Sequence, residues 1–540
     1  MSIGKIAGAV GVVLAVVVGY LCLWPVPADP KIWSAPTALG YVGAHKTNAR
    51  LAELRTIAIG DELGPENIAL GPDGRLYVAM SSGRVLRMDP DGGHREVFAD
   101  TGGRVLGFDF DSKGRLIAAD AMKGLLQIEP DGSSKLLTDR VSADDPVRYA
   151  NSVAIGADGS IYFTDSSGRF SPAEWGGTLR ASVLDILEQA ATGRVLVYDP
   201  LARTTRVVAR GFSFANGIAL SADGASLIVA ETGRYRLWKV DTQARDVDVQ
   251  QHSPQARVLK DNLPGYPDNV TRGIEGRLWV GLFQPRNPAA DSLAQHPALR
   301  KILLRLPPSM LPTGKPYSHV FAIDEDGRVL EDLQDSRGAY PGTTGATEVA
   351  GRLYIHSLHA PAIGWLPRPS PVEELYLLRS IRERRPQAAD ACQASETGFE
   401  PFAEDAERHF SFWSVETAAN GRITDAQRAS VAELRGCFGP TSDRARQNFY
   451  ADVHLDPLRF KGRGECLALA LNVPEPGLFP VRCQLVLEGL PPPYVGGLLT
   501  TNTMTSETAF GGATHPAGYI QASLATIRLW KHRPSSGDLQ

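Results

Sequence analysis

The sequence predicts an all-β chain: a six-bladed β-propeller over residues 50–367, preceded by an N-terminal membrane helix and followed by a separate, mostly β C-terminal domain. Three observations carry this expectation. Gly and Pro are abundant and evenly spread, 54 and 38 of 540 residues, as many short strands joined by turns require. Six segments repeat one pattern of strand, Gly-containing turn and strand. Third-strand candidates follow most of them, and recurrence at intervals of tens of residues marks a propeller blade, whereas a sandwich uses fewer and less self-similar units. A hydrophobic content of 43% can fill large cores, while a formal net charge of only -4 with no concentrated basic segment excludes a nucleic-acid binder.

In chain order, residues 1–5 read as a short cytoplasmic N-terminus and residues 6–24 as a transmembrane signal anchor. The run from Ile6 to Trp24 holds 19 residues without a charge, about 28 Å as a helix against a bilayer core of about 30 Å. Lys5 precedes it, and Pro25, Pro27 and Pro30 stop it. A cleaved signal peptide is the rival reading; the long apolar region and the lack of a small-x-small cleavage motif favour retention. The bulk of the chain is then expected in the periplasm or another extracytoplasmic space, after a linker at 25–49.

The repeats read PENIALGPDGRLYVAM from Pro65, VLGFDFDSKGRLIAAD from Val105, ANSVAIGADGSIYFTD from Ala150, ANGIALSADGASLIVAE from Ala215, PDNVTRGIEGRLWVG from Pro267 and GATEVAGRLYIHS from Gly345. Each turn Gly suits a positive φ, and the flanking period-2 patterns suit antiparallel pairs. Taking the residue before each turn Gly as anchor, the position seven residues earlier holds Glu66, Leu106, Asn151, Asn216 and Asp268. In a rotationally repeated fold, equal register means equal height on the innermost strand, so these side chains should meet near the axis, with Asn269 adding a further amide. Convergent hard oxygen donors suit a hard cation, and their flexible number favours calcium over magnesium. Without the ion, Glu66 and Asp268 would face each other and one pKa would rise.

Segments such as PENIALGPDGRLYV, NSVAIGADGSIYFTDSSGRF, FANGIALSADG and PGYPDNVTRGIEGRLWVG resemble the strictosidine synthase-like and adipocyte plasma membrane-associated protein-like propeller family, and more distantly the paraoxonases and the gluconolactonase group. The resemblance covers about residues 50 to 367. It implies a six-bladed propeller, often membrane-anchored, with lactonase or arylesterase activity in calcium-binding relatives. Carried over by motif, the paraoxonase calcium ligands fall on Glu66, Asn151, Asn216, Asp268 and Asn269. The histidine that paraoxonases place on the second inner strand is Leu106 here, so a proton relay at that position is absent. The catalytic glutamate of the plant alkaloid synthase matches Glu348.

The function expected is a calcium-dependent hydrolase acting on a small lactone or ester. Calcium would polarise the carbonyl, and Asp268 or Glu348 would orient or deprotonate water. His356 and His359 follow Glu348 and are more often structural at such a place. The alternative is a non-catalytic, calcium-stabilised propeller serving as a membrane-anchored binding or scaffold module. The insertion from Ser171 to Ala191 reads as a short helix over the pore mouth. No G-x-G-x-x-G precedes a crossover helix, so nucleotide binding has no support.

Beyond the propeller, residues 368–391 read as a Pro-rich and charged linker with a short amphipathic helix over Glu373 to Arg384. Residues 392–535 read as a C-terminal mostly β domain of unknown function, with a helix from Ile423, and 536–540 as a tail. Cys392, Cys437, Cys466 and Cys483 all fall after the propeller; in an oxidising compartment they are expected to form two disulfides, whose pairing the sequence leaves open.

Overall fold

The computed structural model describes the chain apart from residues 1–2, 112, 157, 307–313, 350, 369–371, 385–406, 418–422, 429–431, 439–445, 456, 469–477, 492–493, 507–522 and 532–540. It divides into two compact units, Met1–Arg368 and Pro369–Gln540.

Among the described residues, the first unit holds six mainly antiparallel sheets of four or five strands built from successive chain segments, and one two-stranded sheet, Arg140–Ser142 with Asp145–Pro146. Sheet one comprises Asn67–Leu70, Leu76–Ala79, Arg84–Met88 and Glu96–Asp100, and sheet two Val105–Phe110, Leu116–Asp120, Gly124–Ile128 and Ser134–Thr138. Sheet three contains Ala150–Ile155, Ile161–Asp165, Gly193–Asp199 and Thr204–Phe212, with Val247–Asp248 added in parallel at its edge. Sheet four runs Ala215–Leu220, Ser226–Glu231, Arg236–Asp241 and Ala256–Lys260; sheet five, Gly265–Arg272, Leu278–Pro285, Ser318–Ile323 and Val329–Asp335. Sheet six takes Thr343–Val349, Arg352–Ser357 and Ala362–Pro367 from one end of the repeat region and Arg55–Ala58 from the other, with Arg55 opposite Trp365.

Each first hairpin turns at a glycine with positive φ: Gly74, Gly114, Gly159, Gly224, Gly276 and Gly351. In sheets one to four a preceding Asp side chain accepts a backbone N–H two residues on, as in Arg75 N–H to Asp73 at 3.1 Å and Ser160 N–H to Asp158 at 3.0 Å, the Asx arrangement that fixes a tight turn.

The first strands of the sheets touch in the order one to six, and the sixth touches the first. Apolar layers fill the spaces between them: Tyr77, Val85 and Phe108 between sheets one and two, Ile117 and Phe163 between two and three, and Val195 and Val229 between three and four. Ile228 and Val280 lie between four and five, Trp279 and Ile355 between five and six, and Tyr354 and Ile68 between six and one. A sheet covered on both faces needs nearly continuous apolar strands, hence the complete burial of Leu76–Ala79 and Ser318–Ile323.

The apolar N-terminal run forms one helix, Ile3–Leu23. The side chains of residues 3–10 and 13 lie outside the described set, and among the described residues no helix is long and apolar enough to cross a membrane. The chain after the helix is strapped along the first unit. Asp29 N–H donates to Glu188 at 2.6 Å, Lys31 N–H to the Glu188 carbonyl at 2.7 Å, and Arg286 Nη2 to the Pro36 carbonyl at 2.6 Å.

In the second unit, Val372–Arg384 pairs with Ser523–Lys531 on one side and Glu407–Thr417 on the other, so the strand order returns to its first member. Two expectations are corrected here. The segment read as a linker with a helix is the strand Val372–Arg384, and where a helix was expected from Ile423 stand two strands, Ile423–Arg428 and Ala432–Phe438, each paired with Glu407–Thr417. Val372–Arg384 is rich in Glu, Leu and Arg and 423–438 in Ala and Arg, good helix formers, but other strands of the sheet pair with them, and such tertiary pairing overrides weak local preference. Cys466 and Cys483 lie opposite one another on Leu458–Ala468 and Leu478–Glu488 and form a disulfide. The disulfide bonding expected of Cys392 and Cys437 lies outside the described residues and side chains.

Candidate functional site

The register argument places Glu66, Asn151, Asn216, Asp268 and Asn269 at the start of the first strands of sheets one, three, four and five, and all five side chains are buried. A local device aims most of them. The pairing of the first two strands slips between Ala150 and Val153, between Ala215 and Ile218, and between Pro267 and Val270, spanning the ring residue each time; in sheet two a slip between Val105 and Gly107 spans Leu106. A bulge frees a residue from the ladder and redirects its side chain, which is why bulges recur beside functional sites. Gly217 brings two such strands together: a Cβ there would lie 2.2 Å from Val270 N and 2.5 Å from the Asp268 carbonyl oxygen.

The amides are oriented by hydrogen bonds. Asn151 Nδ2 donates to Ser166 Oγ at 3.0 Å and Asn216 Nδ2 to Thr232 Oγ1 at 3.2 Å, while Thr232 in turn donates to the Pro267 carbonyl at 2.6 Å. Asn269 Nδ2 and Thr344 Oγ1 both donate to the Glu66 carbonyl, at 3.1 and 3.0 Å, tying sheets five and six to sheet one. Two oxygens in this cluster, Glu66 Oε2 and Asn216 Oδ1, are buried without a hydrogen-bond partner. Orphaned buried oxygens are costly.

The charges explain one another. Burial pushes the Glu66 carboxyl up to about 7, partly offset by the Arg104 guanidinium and the Asn269 amide. Asp268 is pushed well above the ordinary carboxylate range, first by burial and then by repulsion from Glu66, with the Asn216 amide opposing. Tyr149 is raised by burial and by both carboxylates, so all three groups share one neighbourhood. Arg104, itself buried, places Nη2 3.7 Å from Glu66 Oε2 and donates Nη1 to the Met80 carbonyl. The sequence reading missed Arg104. A signal exists: two residues before the ring position stand Gly64, Arg104, Tyr149, Phe214 and Tyr266, aromatic in three repeats and cationic in one.

Two carboxylates and amide oxygens, two of them unpartnered, fit a hard divalent cation of the calcium type. An apolar cover lies next to this site. Leu106 and Tyr149 pack with Phe170 and Phe214, with Ala181 and Leu184 of the helix Thr178–Glu188, and with Ala28 of the N-terminal strap. Surface cavities of about 530 and 300 Å³ lie elsewhere and include none of the ring residues.

Glu348 is held differently. Its Oε2 accepts from Trp279 Nε1 at 3.2 Å and from Ile274 N–H at 3.1 Å, and Arg277 and Arg368 lie 3.7 and 3.8 Å from its Oε1. It lies four residues beyond Thr344, the residue that reaches Glu66, on the strand Thr343–Val349, so about 13 Å of extended chain separates it from the carboxylate pair. His356 is fully buried, bonded through Nε2 to Thr347 Oγ1 at 2.8 Å, and burial pushes its pKa down to about 3. His359 is exposed and packs its ring on Phe283 at 5.7 Å.

Comparison with known proteins agrees with this architecture. The model of the SMP-30/gluconolactonase/LRE-like region matches residues 47–289. Strictosidine synthase-like protein 13 of Arabidopsis thaliana is 37% identical over 220 residues, 40% of this chain and 51% of that protein, so the chain spans about half of its length. Strictosidine synthase-like protein 10 of Arabidopsis thaliana is 31% identical over 331 residues, 56% of this chain and 84% of that protein. The adipocyte plasma membrane-associated protein of Danio rerio is 28% identical over 358 residues, 62% of this chain and 83% of that protein. By sequence, by repeat pattern and by the length of relative it covers, the chain belongs to the strictosidine synthase-like family.

Proposed function

We propose that the six sheets are the blades of one propeller, and that the cluster at the entry of their first strands is a calcium site serving hydrolysis of a lactone or ester. The observation that carries this reading is the buried Glu66 and Asp268 pair with Glu66 Oε2 and Asn216 Oδ1 left without partners. The match to a gluconolactonase-like region supports the substrate class.

Calcium, when bound, would supply polarisation of the carbonyl and charge for the developing oxyanion. The chain's own residues do the rest. Asp268 in its ionised form, made a stronger base by burial and by the facing Glu66, takes the proton of the attacking water and returns it to the leaving alkoxide, so that water adds across the ester bond and an acid and an alcohol result. Arg104 offsets part of the charge on Glu66. Leu106, Tyr149 and Phe214 keep bulk water from the carboxylates. The contacts of Glu348 with Trp279, Arg277 and Arg368 support a structural role at its own end of the strand.

The helix Ile3–Leu23 exposes Val12, Leu14, Val16, Val18 and Leu23. With the uncharged run Ile6–Trp24 and a relative described as plasma membrane-associated, this supports an anchor that leaves the rest of the chain in the periplasm or another extracytoplasmic space.

A second reading, a calcium-stabilised binding module without catalysis, is favoured by the cover of Leu106, Phe170, Leu184 and Ala28 beside the site. Hydrolysis of short and long lactones and aryl esters, with calcium and with chelator, separates the two. Calcium-dependent turnover lost in Asp268→Asn supports the hydrolase. Calcium binding with no turnover on any substrate supports the module.

A further inference from the structure

A second cluster lies between the N-terminal strap and the outer strands of sheet five. His45 ends the short helical turn Gly43–His45, His319 belongs to Ser318–Ile323, and Asp332 to Val329–Asp335. His45 Nδ1 and His319 Nε2 converge on one carboxylate oxygen, Asp332 Oδ2, at 2.7 and 2.8 Å. One ligand atom from each of the three residues lies within 4.8 Å of the others. Both histidines and the carboxylate are largely shielded, with side-chain exposures of 12%, 1% and 8%.

The carboxylate is oriented from behind. Its other oxygen, Oδ1, accepts from Asn48 Nδ2 at 3.1 Å and from Gln334 Nε2, the outer-shell support that ligating carboxylates use. The imidazoles are positioned by packing: the His45 ring lies edge-on to Phe321 at 4.9 Å, and Tyr41 lies 5.6 Å from His319. The pair is not needed merely to fasten the strap. Leu51 N–H to the Gln334 carbonyl at 2.9 Å, Gln334 N–H to Asn48 Oδ1 at 3.0 Å and Gln334 Nε2 to the His45 carbonyl at 3.1 Å already do that. The ring nitrogens that face away from the carboxylate, His45 Nε2 and His319 Nδ1, are buried without partners.

We propose that His45, His319 and Asp332 bind a zinc-class divalent transition metal, at a site distinct from the Glu66 and Asp268 cluster, and that the metal staples the strap to sheet five. Two imidazoles and one carboxylate are borderline nitrogen and oxygen donors, which suit zinc, cobalt or nickel and not calcium. Zinc bonds of about 2.0 to 2.2 Å would hold ligand atoms about 3.3 Å apart in a tetrahedron, so Oδ2 withdraws by about half an ångström from its hydrogen-bonded place. Each neutral imidazole moves its proton to the nitrogen that is now unpartnered, so no net proton leaves a neutral ring.

The test uses the full chain, freed of metal by chelation, and titrates zinc or cobalt ions alone. One equivalent should bind, cobalt should develop the visible absorption of a tetrahedral site, zinc should displace it, and a large excess of calcium should not. His45→Ala, on the strap, should weaken zinc at least 100-fold while leaving the response to calcium unchanged, and Asp332→Asn should weaken it at least tenfold. If His319→Ala does not fold, these two variants decide. Absence of the cobalt band, or zinc affinity in His45→Ala within twofold of the parent, overturns the proposal, the latter by showing binding at surface histidines.

Discussion

Glu66→Gln tests the electrostatics of the carboxylate pair directly. Folded Glu66 holds its proton up to about pH 7, against an ordinary value of 4.5. At about 1.4 kcal/mol per pH unit, that displacement corresponds to on the order of 3 kcal/mol. The sign follows from proton binding: between the two values the folded state carries the proton and the unfolded state does not, so stability is fully present below about 4.5 and is lost as pH rises through about 7. In chelator, urea unfolding followed by Trp fluorescence should therefore show the parent less stable at pH 8 than at pH 5. Glu66→Gln, which cannot titrate, should remove much of that slope, whatever its absolute stability. The comparison of slopes matters because the substitution also leaves buried Arg104 without its neighbouring carboxylate. Saturating calcium should flatten the parent's profile by stabilising both ionised groups. A parent whose stability is level from pH 5 to 8 in chelator, or a variant with the parent's slope, would refute the facing-carboxylate geometry.

Asp268→Asn should lower calcium affinity at least tenfold by removing one charge, read by calorimetry, and should lower any lactone hydrolysis further than affinity alone explains. Arg104→Met should push the Glu66 carboxyl higher still and destabilise the cation-free protein by about 3 to 5 kcal/mol, the usual result of breaking a buried pair, measured by urea unfolding. Gly217→Ala should cost more than about 2 kcal/mol and reduce calcium binding, because its Cβ would meet backbone atoms of sheet five at 2.2 to 2.5 Å; an unchanged unfolding midpoint would exclude that close approach. Reducing the Cys466–Cys483 bond, which closes a separation of 17 residues, should destabilise the second unit by about 3 kcal/mol, and peptide mapping without reductant should recover that pair.

The repeats made the sheets and the ring residues legible, because equal register on a recurring unit is a geometric statement that needs no side-chain contact. Glu66, Asn151, Asn216 and Asp268 are buried at or near the entry of the first strands of their sheets. What it could not supply was direction. The bulges at Ala150, Ala215 and Pro267 that turn these residues off the ladder leave no mark in an alternating pattern. Arg104 was hidden for a different reason: its partner Glu66 lies 38 positions earlier on another sheet, and only the aromatic company of Tyr149, Phe214 and Tyr266 at the same register hints at it. In the tail, the segments over 372–384 and 423–438 offered helix-like composition where the deciding interactions were pairings with other strands, for Val372–Arg384 with one about 150 residues later.

The mixed origin of sheet six sets an order of events during synthesis. Arg55–Ala58 emerges from the ribosome early, yet its partner Ala362–Pro367 is made roughly 300 residues later, a delay of about 15 to 60 s at ordinary elongation rates. Through that interval the early strand has an unpaired edge, the kind that recruits other chains. The unit cannot close until nearly all of it exists, so a nascent chain arrested before Ala362 would hold five complete sheets and an open seam. Closure of the unit therefore waits on the late strand, which places the chain's greatest exposure to misassembly just before its sixth sheet is finished.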